Sequence, residues 1–490
     1  MLVALLFIPL VAGLLMLIMP ANVWRRALLA ATAVTHLALV ATCLLYSPAP
    51  ALNGILDPDV LGLMFLTLSS LLFLVVTLYT VGYLQDESSS PRPSPCGDKT
   101  VTNLPEQRFC ACLCFFLATM TLVTTTRHLD VLWVGIECTT LATAPLIYFH
   151  RHRRSLEATW KYLMICSVGI AMALLGNILL SFSFHVPGLS LAGSLNLPDL
   201  IAAAPQAQTP WLKAAFIFIL VGYGTKMGLS PLHNWLPDAH SEAPSPVSAL
   251  LSGALLNCAF LGILRTHQIL IPAGIGDFSS GLLIFFGLLS MGTAAIFIVG
   301  MGHFKRLLAY SSVEHMGILA LGVGLGGNAI FGAMLHTVNH SLVKVMLFLL
   351  AGNILRHYHT TSSHDVRGMR QTMPLTATLW TAGFLAVAGL PPFGLFVSEL
   401  SILQAMLQQD RTIIAFLYLA FLAIVFVGMS VPVLHMVQSS PPPGLNKVFR
   451  ETLLNTGPPF VLCILVLMLG LYLPPWMTQY LRAAAGLLGG

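Results

Sequence analysis

Charge is what this sequence has least of. Of its 490 residues only 8% are Asp, Glu, Lys or Arg, while 57% are hydrophobic; soluble domains carry roughly a quarter charged residues. That is too little charge to solvate a water-facing surface of this size, which excludes a soluble enzyme. No Lys or Arg occurs before Arg25, so the apolar run from Leu2 lacks the basic flank of a secretory signal and reads as a retained first helix. The nine cysteines fall mostly in apolar segments. Cys110, Cys112 and Cys114, at spacing two, scatter around a helix, so neither a disulfide framework nor an iron–sulfur site is expected. The formal charge of +5 is spread over helix ends and forms no basic stripe, and nucleic acid is not an expected partner. The alternating ten-residue segments of a membrane barrel are missing too.

What the chain does have is long apolar runs. A hydrocarbon core about 30 Å thick needs about 20 apolar residues per crossing. The pattern predicts an all-α polytopic membrane protein of about fourteen transmembrane helices, near 2–20, 27–46, 60–84, 109–125, 129–149, 159–184, 211–232, 246–264, 280–302, 307–325, 327–354, 375–407, 412–437 and 457–475. Residues 1–490 read as one membrane domain, connected by polar stretches at Asp86–Gln107, Phe184–Pro210 and Pro441–Gly444. With the N-terminus outside, fifteen of the 23 Lys and Arg residues fall in connections on the cytoplasmic side and five on the outer side. That asymmetry matches the positive-inside rule, puts both termini outside and places Cys96 on the cytoplasmic side.

Two spans carry Gly and Pro at mid-helix, Lys226-Met-Gly-Leu-Ser-Pro231 and Gly389-Leu-Pro-Pro-Phe-Gly394. Proline there removes a backbone hydrogen bond, which is tolerated only where protein or a water-filled cavity satisfies the freed carbonyls. Pro231 falls in the seventh span, and Pro391 and Pro392 in the twelfth. Broken helices at matching positions of two halves point to an inverted repeat with an ion site at the midplane. An offset of five helices inverts the second copy. Two independent kinks are the alternative.

An ionisable group near the bilayer centre costs at least about 2.5–3.5 kcal/mol and marks a pathway or a partner. Glu137 lies about 12 Å into the fifth span at 1.5 Å per residue. Lys226, just before the seventh-span break, is the opposite charge available to it. Paired, each offsets the other's desolvation; separated, the ammonium loses its support and yields a proton. A static pair holding two helices together is the other reading. In the eleventh span His336, His340 and Lys344 recur every four residues and share one helix face, as a proton relay would. Metal ligation and satisfied structural histidines are the alternatives, and the intervening Thr337, Val338 and Asn339 lack the glutamate of a zinc-protease helix. Glu314 and His315 in the tenth span and Glu399 in the twelfth extend the polar line. Lys305 and Arg306 stand at a cytoplasmic boundary, where topology alone accounts for Arg306.

Several stretches carry a resemblance: Leu132–Pro145 around Glu137, Gly224–His240 with Lys226 and His233, Ala243–Gly253 followed by Asn257, Lys305–Ser312, Val313–Gly317 and Asn339–Lys344. Over nearly its whole length the chain resembles the antiporter-like membrane subunits shared by respiratory complex I, Mrp-type sodium/proton antiporters and group 4 membrane-bound nickel–iron hydrogenases. Within that family it looks most like the F-type subunit of hydrogenase 4, in the formate hydrogenlyase group. The resemblance implies two inverted five-helix repeats, helices 4–8 over residues 109–265 and helices 9–13 over 280–438, flanked by helices 1–3 in 1–108 and helix 14 at 457–475. It implies that Glu137 and Lys226 form an ion pair, that His336, His340 and Lys344 lie on a central hydrophilic axis, and that Glu399 stands near the exit; His233, Asn257, Lys305, Glu314 and His315 are read onto the same proton pathway. The chain departs from the complex I pattern at Asn257, which replaces a lysine, and it lacks a long lateral helix after its last span. No cofactor or metal is implied in this chain. Its expected partners are the other membrane subunits of a redox complex and, through them, a peripheral arm with iron–sulfur and nickel–iron subunits. The expected ion is H+, with Na+ as the alternative. A separate sodium/proton antiporter, or a scaffold for a hydrogenase or bicarbonate-uptake module, are the competing functions.

Overall fold

The computed structural model of the chain describes residues 1–89, 103–185, 195–442 and 449–489, and Cys96 lies outside them. Among the described residues the regular structure is helical, with only isolated bridges between loops. In chain order come α1 (Leu2–Ile18), α2 (Asn22–Leu45), α3 (Val60–Ser89), α4 (Glu106–Thr125), α5 (Leu129–Ile147), α6 (Arg153–Ser183) and the short α7 (Leu197–Ala203). Next are α8 (Thr209–Met227), α9 (Trp235–Glu242), α10 (Ser245–Leu250), a π-helical turn at Leu251–Leu255 and α11 (Leu256–Leu270). The rest is α12 (Gly276–Ile298), α13 (Phe304–Leu325), α14 (Asn328–Tyr358), the single turn α15 (Met369–Thr372), α16 (Pro374–Val387), α17 (Gly394–Gln408), α18 (Thr412–Gln438), α19 (Leu453–Leu471) and α20 (Pro475–Gly486). Eleven helical segments among the described residues are long and apolar enough to cross a membrane, and α1 and α16 are shorter apolar helices. The chain is a multi-pass membrane protein.

These runs become helices because an apolar segment in lipid must satisfy every backbone group within itself. Proline in the first turn of α8, α16 and α20 uses the position where its missing N–H costs nothing. His152 and Ser155 form a reciprocal cap at the start of α6, as Thr452 and Asn455 do for α19. Helices approach closely where side chains are small. A β-carbon on Gly222 of α8 would meet Gly169 and Ala173 of α6, and one on Gly317 of α13 would meet Gly287 of α12.

The molecule has an inside and a rim. The segment Ser245–Leu270 together with α13 and α14 is enclosed by other helices, whereas α18 exposes most of its apolar surface. Charged and polar ties gather at the two ends of the bundle. One end holds Arg265 bidentate on Asp59, Arg127 on Asp57, and Gln268 donating to Leu487 O. The other holds Arg26 bidentate on Glu106, and His152 facing Glu242.

Both expected breaks are present and are built alike. Gly228 (φ 84°) ends α8 and Gly389 (φ 63°) follows α16, each in the left-handed region where glycine is favoured, and each stands three residues before a cis proline, Pro231 or Pro392. Gly228 N–H donates to Thr225 O and Leu229 N–H to Gly224 O; Gly389 N–H donates to Ala386 O and Leu390 N–H to Leu385 O. These are two Schellman ends of identical register. Freed groups are satisfied by side chains, Trp235 Nε1 donating to Thr225 O and Ser230 N–H to Ser290 Oγ. Each break packs against the longest helix of its half, α6 or α14, both of 31 residues.

Candidate functional site

In the first half, α5, α6 and α8 converge on Lys226. The ammonium sits in the last turn of α8, where a helix C-terminus favours positive charge, and it is fully buried. It donates to Thr140 Oγ1 at 2.7 Å and Tyr162 OH at 2.6 Å, with the Tyr162 ring face 4.5 Å from Nζ. Glu137 accepts from Ser167 Oγ at 3.0 Å and from Thr140 Oγ1 at 3.4 Å. Carboxylate and ammonium are thus joined through the Thr140 hydroxyl, with no direct ion pair between them among the described residues. Tyr162 OH pairs with Thr143 Oγ1 at 2.6 Å. Thr143 gives its hydrogen to Thr139 O, so the phenol donates to Thr143 and its oxygen is left to accept from Lys226.

In the second half, Lys344 of α14 donates to Leu308 O at 3.0 Å and to Ser311 Oγ, both on α13. Glu314 is buried within electrostatic reach of Lys344 and Glu399. His315 Nδ1 lies 3.0 Å from His336 Nε2, and His336 Nδ1 lies 3.0 Å from Ser398 Oγ. The Ser398 hydroxyl donates to Leu395 O, so for neutral rings the order is fixed: His336 Nδ1–H donates to Ser398 and His315 Nδ1–H donates to His336. His315 Nε2 is then the bare, accepting end of the chain, and it is buried without a partner. The His340 ring lies 5.0 Å from that of His315 between centroids, tilted by 45°, with both of its nitrogens unpartnered. Ring nitrogens of His315 and His336 and a carboxylate oxygen of Glu399 lie within 4.8 Å of one another. Gly389 makes that packing possible, since a β-carbon there would overlap the Glu399 carboxylate.

Asn257 stands between the halves. Its amide donates to Gly253 O at 2.8 Å, in the π-helical turn, and to Ser341 Oγ at 2.7 Å, between His340 and Lys344 on α14. Two expected residues lie off this line. Lys305 is buried at the loop end of α13 and donates to Ser241 O and Ala243 O. His233 follows the first break and packs 6.3 Å from Phe297 and 6.0 Å from Tyr310. Sequence reasoning missed Thr140, Tyr162, Ser167, Ser311, Ser341, Ser398 and His240. Hydroxyls are unremarkable in apolar helices, and only His240, in the polar stretch around Pro237, carried a visible signal.

The site can be compared with known proteins. Residues 126–427 match the family described as NADH:quinone oxidoreductase/Mrp antiporter, TM. The chain belongs to the NADH:quinone oxidoreductase/Mrp antiporter family. It is 36% identical over 434 residues to a hydrogenase-4 component F homolog of Methylacidiphilum infernorum, an alignment that covers 88% of each chain. Its fold is that of a chain in the membrane-bound sulfane sulfur reductase, an archaeal respiratory membrane complex, with a TM-score of 0.86, 20% identity and coverage of 100% and 97%. It is also that of a chain in respiratory complex I from Thermus thermophilus, with a TM-score of 0.82, 23% identity and full coverage of both. The matched stretch of this antiporter-family chain contains every candidate residue from Glu137 to Glu399. Helices α1–α4, α19 and α20 lie outside it.

Proposed function

We propose that this chain is the proton-translocating subunit of a redox-driven membrane complex, with no redox centre of its own. The observation that carries the reading is the set of buried ionisable groups on broken or enclosed helices: Lys226 behind the Thr140 hydroxyl, then Lys344, Glu314, the His315–His336–Ser398 chain and Glu399. Lipid penalises each of them, and a merely structural core has no use for so many. When Glu137 stays close, the Lys226 ammonium is supported; when a partner subunit draws the carboxylate away, Lys226 gives up its proton. A proton accepted at His315 Nε2 releases the Nδ1 hydrogen to His336, and the proton passes on to Glu399, whose carboxylate oxygen lies within 4.8 Å of ring nitrogens of both histidines and which releases it. The polar line is made of lysine and histidine, whereas sodium sites favour clustered carboxylate and carbonyl oxygens; this favours H+. A relay suits histidines that already bond to one another better than a metal site does.

Counting α8 with α9, α10 with α11, and α16 with α17 as single crossings gives fourteen, with both termini outside a bacterial or archaeal cytoplasmic membrane. The matching breaks support two inverted repeats, α4–α11 and α12–α18. The likeness to a hydrogenase-4 component F homolog supports partners of the group 4 hydrogenase type: further membrane subunits and, through them, an arm with iron–sulfur and nickel–iron subunits. The test is reconstitution of the complex with Glu137→Gln or Lys226→Ala in proteoliposomes. Both variants should assemble and transfer electrons without building a pH gradient. A normal gradient in either would refute the reading.

A further inference from the structure

Between the two halves there is a titratable gap. Asn257 cannot hold a proton, and the Trp235 ring packs against both Tyr162, the phenol partner of Lys226, at 5.0 Å and His240 at 6.2 Å, an indole with no proton to relay between the two sites. Lys344 therefore needs a supply that does not run through Lys226.

A second polar track reaches toward Lys344 from the bundle end that carries His152 and Glu242. Glu242 ends α9 with a side chain 22% exposed, and His152 Nε2 lies 3.6 Å from its Oε2. His152 Nδ1 accepts the Ser155 N–H, so the neutral ring carries its hydrogen on Nε2 and aims it at the carboxylate. His152 positions Glu242; Glu242 meets water. One step further in, Lys305 lies within electrostatic reach of Glu242 and spends two of its three N–H bonds on Ser241 O (3.0 Å) and Ala243 O (2.6 Å). Beside these carbonyls His240 is fully buried. Its Nδ1 donates to Leu236 O at 2.9 Å, which fixes the accepting lone pair on Nε2, and Nε2 has no partner. His240 lies within electrostatic reach of both Lys305 and Lys344. The α13 backbone joins the two lysines, because Leu308, whose carbonyl holds Lys344, is one turn beyond Lys305. Phe348 stands beside the track. It is one turn past Lys344 on the same face of α14, fully buried, with its ring 5.4 Å from that of His240.

We propose that Glu242, Lys305 and His240 form an inlet that loads Lys344 directly from the loop face, with the Phe348 ring as its gate. This rests on the proton-translocating reading of the site. Lys305 gives a proton to His240 Nε2 and is reloaded by Glu242, which takes one from water. His240 passes its proton to Lys344 when Phe348 swings aside, so one proton enters for each that leaves; the proton of Lys226 does not reach Lys344, and Lys226 acts on it by gaining and losing its own charge.

The experiment uses vesicles containing the assembled complex, with and without redox turnover. His240→Leu should lose proton translocation per electron, and Glu242→Gln should lose most of it. Phe348→Ala should add a passive proton leak without turnover. That leak should vanish in Phe348→Ala/His240→Leu and persist in Phe348→Ala/Lys226→Ala. Normal translocation per electron in assembled His240→Leu, or a leak that survives His240→Leu, would overturn the inlet, and no leak in Phe348→Ala would overturn the gate. If Lys344→Ala itself translocates normally, the underlying reading fails and not merely the inlet.

Discussion

At the scale of the residue, Thr140 decides how Glu137 and Lys226 communicate. Short charge-assisted bonds such as those from Lys226 to Thr140 and Tyr162 are stronger than neutral ones, and losing an acceptor for a buried ammonium costs about 1–3 kcal/mol or more. Thr140→Val keeps the volume and deletes the hydroxyl, so it should cut the pH gradient formed per electron while leaving the complex assembled. An unchanged gradient would reduce Thr140 to packing. Lys226→Arg should fail altogether, since arginine effectively never deprotonates in proteins; pumping by that variant would show that Lys226 only holds charge. Both charges were legible in the sequence, because a lysine and a glutamate inside apolar runs have no bland explanation at bilayer depth. The hydroxyls that join them were not, because Thr140 and Tyr162 gain meaning only when α5, α6 and α8 come together. Lys305 was legible as a residue at a helix boundary, and the structure has it at the loop end of α13; its bonds to Ser241 O and Ala243 O were not legible, because they form only when α9 and α13 pack together.

At the scale of the element, the two breaks follow from four residues each. Gly-Leu-x-Pro supplies the left-handed glycine and the proline that ends the run, so Gly228–Pro231 and Gly389–Pro392 were visible from spacing. The π-helical turn at Leu251–Leu255 was not, since nothing in Leu-Ser-Gly-Ala-Leu distinguishes it from α-helix. The glycines of the two breaks do different work. At Gly228 a β-carbon would meet only the flexible end of Leu236, so Gly228→Ala should cost about the 1–3 kcal/mol of a strained backbone and retain pumping. At Gly389 the same change also displaces the Glu399 carboxylate, so Gly389→Ala should lose the gradient at comparable expression. Equal effects of the two changes on pumping would contradict this distinction. The register of the breaks places Val387 at the position equivalent to Lys226, so the ionisable group of the second half has moved past the break to Glu399.

At the scale of the whole molecule, the fold was legible from the apolar runs and the break motifs, while the burial of α13, α14 and the segment Ser245–Leu270 at its centre depends on packing that no single run encodes. A line of buried groups that ends on Glu399 moves protons without moving electrons. Glu399→Gln keeps the shape of the side chain and removes its charge. The deciding measurement is the pH gradient and the redox turnover of the reconstituted complex, recorded side by side in the same proteoliposomes. The Gln variant should keep part of its electron transfer and lose most of the gradient per electron, with Glu399→Asp recovering some of it. A gradient per electron equal to that of the unaltered complex would remove Glu399 from the path.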